Sequence, residues 1–207
     1  MIRMKKLAVA LIAVILIAAA GIFYYAENAD AVDITIKTDG VNITVEARTM
    51  MFTSAPTAME QEIGNYMADV INDPDSTVDS IKADVKEIAK EYGYRKIDVR
   101  IESQFGVDQL PMPAVVSGDS MYPTLRDGQE LIVLKTDDYR VGDIVIAKHP
   151  EYGLIVKRVG KIEGSRVYLM SDNKKVERIY TPTSVIVRTP LNTWVPRSAI
   201  VGVVKKY

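Results

Sequence analysis

"SGDSMYPTLRDGQELIVLK", residues 117–135, sets the reading of the whole chain. Gly118, Pro123 and Gly128 are turn formers, and no helix continues through Pro123. The apolar run from Glu130 to Lys135 then reads as a strand. Ser120 therefore sits at a corner that leads into a strand. Either the turn simply contains a serine, or the corner holds a nucleophile out for reaction. A serine hydroxyl attacks a carbonyl only when a base takes its proton, so the base decides between the two.

Composition leaves few bases. The chain has 207 residues, no cysteine and one histidine, His149. Thiolate chemistry, disulfides, cysteine-ligated metals and a multi-histidine metal site are excluded. No metal and no cofactor is expected. Lys and Arg number 26 against 27 Asp and Glu, so no basic excess points to a nucleic-acid partner. Lysine and carboxylates remain as candidate bases.

Outward from the opening stretch, short apolar segments recur: "AVV" before it, then "DIVIAKH", "GLIVKRVGKI", "RVYLM" and "AIVGVV". Turn signals such as "RVGD" and "IEGS" separate them. Many short strands at this spacing predict an all-β, partly closed sheet from residue 114 to 207. Lys157 lies within "LIVKRV". On a strand it can bury its amine in an apolar wall while Arg158 faces the other side. Burial disfavours the ammonium, which is how a lysine becomes a base near neutral pH. Lys148 lies next to His149 and Pro150, close to a turn, and reads as solvated.

These residues resemble the boxes of the type I signal peptidases and of the LexA-type self-cleaving repressor peptidases. Ser120, Met121, Pro123, Thr124, Leu125 and Gly128 match the serine box. Gly142, Asp143 and Pro150 match the next one. Lys157 and Arg158 match the lysine box, and Asp172 with Asn173 match a later Gly-Asp-Asn box. All four occur in the family's order, over residues 114 to about 205. The resemblance implies a mainly β catalytic domain of the signal peptidase/LexA-like fold with a Ser120/Lys157 dyad. It implies backbone N–H groups of Asp119 and Ser120 as oxyanion donors, with Asp172 and Arg158 in support. Val115, Val116 and Met121 are expected to bind substrate, the "AVV" edge by β-addition. The chain departs from the bacterial pattern at Gly118, where a serine is common, and at Ser171, where glycine is usual. It departs from the endoplasmic-reticulum type in carrying lysine, not histidine, at 157.

Before this region the chain reads differently. Residues 1–6 carry Arg3, Lys5 and Lys6, and 7–25 form an uncharged, largely apolar run of 19 residues. As a helix it spans about 28 Å, close to the hydrocarbon thickness of a bilayer. A single-pass transmembrane helix is expected, with residues 1–6 cytoplasmic and the rest extracytoplasmic. A cleaved signal peptide ending near Ala29-Asp30-Ala31 is the competing reading. Residues 31–104 read as a small α+β domain. It has a hairpin over 33–48 and a helix over 57–72 capped by Thr57 and Glu60. A second helix from Ser76 and a strand in "KIDVRIES" complete it. Asn42-Ile43-Thr44 is a glycosylation sequon. Residues 105–113, with one glycine and two prolines, read as a linker.

The expected function is a membrane-anchored serine endopeptidase of signal peptidase type, with exported preproteins and their signal peptides as partners beside the lipid membrane. The alternatives are a LexA-like self-processing peptidase and a non-catalytic anchored interaction protein with a peptidase-like domain.

Overall fold

The computed structural model describes residues 12–24, 29–49 and 55–206. Residues 12–24 are helical (α1) and expose Ile12, Ile15, Leu16, Ile17 and Phe23. Among the described residues no helix is long and apolar enough to cross a membrane. Residues 1–11 and 25, which complete the basic segment and the expected span, lie outside the described residues.

The α+β unit begins with the expected hairpin. β1 (Ala31–Thr38) and β2 (Ile43–Thr49) pair antiparallel around a turn. In that turn the Asp39 carboxylate accepts from the N–H groups of Val41 and Asn42. Helix α2 (Thr57–Val70) buries Met59, Ile63 and Met67. Helix α3 (Val78–Glu91) buries Ile81, Val85 and Ala89. β3 (Lys96–Ser103) then returns parallel to β1, and β4 (Gly106–Val107) pairs with it. The order is β2-β1-β3-β4, and both helices pack on the face that carries Ile34, Ile36, Val99 and Ile101. The capping box read at Thr57 is not formed. Pro56 is the N-cap residue, which places Thr57 inside the helix. Glu60 instead reaches across to accept from the Ala47 N–H at 2.8 Å. The box that does form is one helix later, between Thr77 and Ser80.

The second unit is a curled sheet in the order β12-β9-β8-β7-β13-β6-β5. Its strands are β5 (Pro111–Val115), β6 (Glu130–Leu134), β7 (Ile144–His149), β8 (Gly153–Glu163), β9 (Arg166–Met170), β12 (Thr193–Pro196) and β13 (Ile200–Lys206). A separate hairpin of β10 (Glu177–Tyr180) and β11 (Val185–Arg188) stands between β9 and β12. β7 explains the curl. Ile144 and Ile146 join one apolar cluster, with Met112, Met121, Leu125 and Leu131. Val145 and Ala147 join another, with Ile155, Val159, Val167 and Leu169. A strand buried on both faces reads as a continuous apolar run, as "IVIA" does.

Residues 105–113 are not a free linker. They contain β4 and the start of β5, and Leu110 is buried in the core of the α+β unit. Prolines 111 and 113 suit β5 because it is an edge strand. Gly40, at φ +97°, meets the second unit so closely that an added Cβ would lie 3.3 Å from Ile132 and from Pro111. The α2–α3 loop is tied to the sheet by Lys135 and Lys148, so the two units share a built interface.

Candidate active site

The loop between β5 and β6 is a closed turn. Val116 donates to Gln129 O and Gly128 donates back to Val116 O, each at 2.9 Å. Gly118 takes φ +85°, where a side chain is strained, and its N–H is bound by Asp127 at 2.8 Å. Met121 and Leu125 are fully buried and anchor the loop from below. Ser120 is held at its crest.

β8 brings the base. Alternation along the strand buries Ile155, Lys157 and Val159 on one side, and Lys157 is only 4% exposed. Its Nζ lies 2.7 Å from Ser120 Oγ and 3.1 Å from the Val156 carbonyl. Burial alone pushes the Lys157 ammonium down from the usual lysine range, with no carboxylate to oppose it. The arrangement is a hydroxyl and a destabilised ammonium in hydrogen-bond contact, which is what nucleophile activation requires.

Arg158, next on the strand, turns the other way as expected. Its Nε and Nη2 bind the Asp172 carboxylate at 2.7 and 2.5 Å, and Nη1 donates to Gly142 O at 2.6 Å. Thr124 Oγ1 donates to the same carboxylate at 2.6 Å. These contacts, with Arg158 first, hold the Asp172 carboxyl below the usual carboxylate range. Asp172 therefore joins β8 to the serine loop. It supports Arg158 and makes no contact with Lys157.

Asn173 holds the crest itself. Its N–H donates to Ser120 O at 3.0 Å, and its side-chain amide donates to Asp119 O at 3.0 Å. Sequence reasoning quoted Asn173 within a box but gave it no role. The N–H groups of Asp119 and Ser120 have no acceptor among the described residues. That leaves them available to a developing oxyanion. Ser171, standing where glycine is usual, is fully buried and donates its hydroxyl to Leu191 O at 2.9 Å.

Ser120 and Lys157 open into a cleft of about 580 Å³. Pro113, Ala114 and Val115 of β5 form one wall, and Leu154, Ile155 and Val156 of β8 form the other. β5 pairs only with β6. β8 pairs with β9 only from Arg158 onward. Among the described residues, both walls thus present unpaired strand edges. Of the three expected substrate contacts, Val115 is exposed and lines the cleft. Val116 and Met121 do not, being buried in the core beneath the loop, because side chains alternate and the turn folds Met121 inward. Tyr152 and Leu191 also line it, and neither was singled out from sequence.

The other candidate bases are elsewhere. His149 ends β7, where its ring packs on Tyr152 at 4.9 Å and its Nδ1 accepts from the Glu151 N–H. Lys148 is paired with Asp75. No group of three or more His, Cys, Asp or Glu among the described residues could hold a metal ion.

A family model described as Peptidase S24-like matches residues 76–188. No curated protein matches the chain.

Proposed function

The chain belongs to the Peptidase S24-like family, and we propose that it is a membrane-anchored serine endopeptidase of signal peptidase type that cleaves exported preproteins. The observation that carries the peptidase reading is the 2.7 Å contact between Ser120 Oγ and a buried Lys157 Nζ. Neutral Lys157 accepts the Ser120 proton as Oγ bonds to the substrate carbonyl carbon. The oxyanion is met by the N–H groups of Ser120 and Asp119. Collapse breaks the C–N bond, and the leaving amine takes the proton back from Lys157. Water, deprotonated by the same amine, then hydrolyses the acyl-enzyme and frees Ser120. The substrate lies extended between β5 and β8, its backbone bonded to their open edges.

The signal peptidase assignment rests on the ordered boxes and on the apolar run at 7–25, which would hold the cleft at the membrane surface where a preprotein emerges. The Gly118-Asp119-Ser120-Met121 form also favours a second reading, self-processing in the LexA manner. Purified full-length protein is incubated with a preprotein and with an internally quenched peptide carrying Ala at the first and third residues before the cut. Cleavage in trans by the wild type, and none by Ser120→Ala, supports the endopeptidase. Concentration-independent cleavage of the chain itself, with no turnover of added substrate, would select self-processing.

A further inference from the structure

We infer that the α+β unit builds the far end of the peptide cleft, where the α2–α3 loop presents the Asn72 side-chain amide to a substrate residue four or five positions from the scissile bond. Asn72 lines the same cleft as Ser120 and Lys157, although it belongs to the other unit. It is exposed, and its amide has no partner among the described residues. Met112, Leu131 and Ile146 give the same cleft apolar lining. One free amide in such a channel discriminates between partners that can and cannot form a hydrogen bond.

The loop is fixed in place. Lys135 Nζ, at the end of β6, donates to the Asp73 carbonyl, to Ser76 O at 3.0 Å and to Ser76 Oγ at 2.6 Å. The Ser76 hydroxyl donates in turn to Val70 O at 2.8 Å. Lys148 of β7 pairs with Asp75. Lys135 is half-buried, and burial pushes its amine down to about 8 while it donates to the three loop oxygens.

Register sets the distance from the cut. Lys148, which pairs with Asp75 of the loop, stands opposite Leu154 in the β7–β8 ladder, and Leu154 lines the cleft together with Asn72. Leu154 precedes Lys157 by three residues, about 10 Å along a strand. A peptide running beside β8 at the same rise reaches Asn72 with its fourth or fifth residue from the scissile bond. A Gln, Asn, Ser or Thr there can pair with the amide, and a Leu leaves it unpaired. Asn72 lies just before the span, 76–188, that the family model matches.

The inference rests on the cleft being the peptide channel, and binding to an inactive protein tests it apart from catalysis. Fluorescein-labelled dodecapeptides with a central Ala-x-Ala carry Gln or Leu four or five residues to either side of the cut. Anisotropy titrations use the full chain with Ser120→Ala, with and without Asn72→Ala. The Gln peptide is expected to bind about tenfold tighter than the Leu peptide, the value of one hydrogen bond. Asn72→Ala should reduce that preference below twofold with Tm unchanged. An equal preference in both proteins, or no binding at all, overturns the inference. If the preference depends on Asn72 but the wild type leaves the peptides uncut, the peptidase reading fails and the subsite stands.

Discussion

The Asn173 side-chain amide is 3.0 Å from the Asp119 carbonyl oxygen. In a planar trans peptide the carbonyl and the following N–H point in opposite directions. Holding the Asp119 carbonyl to Asn173 therefore aims the Ser120 N–H away from Asn173. Asn173→Ala is expected to lower kcat about tenfold to a hundredfold, somewhat less than deleting an oxyanion donor outright. KM and the pH of the acid limb should stay put, since neither the cleft walls nor Lys157 changes. A peptide boronate, which places an anionic oxygen in the same position, should lose affinity in parallel. Loss of KM with kcat intact would show that Asn173 acts on substrate binding instead.

Asp172 gives a prediction about stability. Its bonds to Arg158 and Thr124 are partly buried, with 14% of the carboxylate side chain exposed. Asp172→Asn should cost about 1.5–3 kcal/mol at pH 7, the range for hydrogen bonds to a charged group. The carboxyl is held below its ordinary value, so its contribution is complete above the unfolded value of about 3.9. It is lost as pH falls through the lower, folded value. Urea melts of wild type and Asp172→Asn should therefore differ at pH 7 and converge as pH falls below the ordinary carboxylate range. A gap independent of pH would mean that packing, not charge, is what Asp172 supplies.

Gly202 sits in β13, between β6 and β7. A Cβ there would lie 2.2 Å from the Leu134 carbonyl oxygen and 3.0 Å from Lys135 Cα. Both are backbone atoms of the neighbouring chain segment, so no side-chain rotation relieves the clash. Gly202→Ala should destabilise by at least about 1–3 kcal/mol, the usual cost of overpacking. The shift in urea midpoint measures it. Because β6 leads from the serine loop, the variant's residual activity should fall further than its folded fraction does.

How much of this was legible follows from the range of each signal. The strands from β6 to β9 were readable because alternation and turn residues are local. Ser120 and Lys157 were readable because each box carries its own pattern, although 37 residues separate them. β5 was half missed because prolines read as a linker, and only the sheet order shows that an edge strand tolerates them. β12 and the β10–β11 hairpin escaped because "TWVP" and "ERIY" are short and lack a clean alternation. Thr57 looked like a cap because capping was judged from spacing, whereas Pro56 takes the position. Asn72 was invisible as a site residue, since nothing local ties the α2–α3 loop to a cleft on another unit. Two lysines far along the chain make that connection.

Topology is tested on intact cells. If the apolar run at 7–25 spans a membrane, the positive-inside rule expects Arg3, Lys5 and Lys6 inside and residues 33–207 outside. External protease should then degrade the large domain of right-side-out vesicles and leave a short N-terminal fragment. Full protection of the large domain would put the peptidase on the other side of the membrane.

The dyad gives the last prediction. Ser120→Ala removes the attacking oxygen, and Lys157→Ala leaves its hydroxyl with no basic partner among the described residues, so each should abolish peptide cleavage. The double variant should be no worse than either single one, because the residues act as a unit. Lys157→Arg should be equally inactive, since a guanidinium does not release its proton in this range. Burial sets the pH dependence. The ammonium of Lys157 is destabilised, so the neutral base is populated below the ordinary lysine value. The rate should rise with pH through that lowered value, because only the neutral amine accepts the serine proton. His149→Ala should keep most activity, as its imidazole packs against Tyr152 and not against Ser120. Steady-state kinetics on the quenched peptide, from pH 5 to 10, measure all of these. Near wild-type cleavage by Lys157→Ala together with a dead His149→Ala would replace the lysine with histidine as the base.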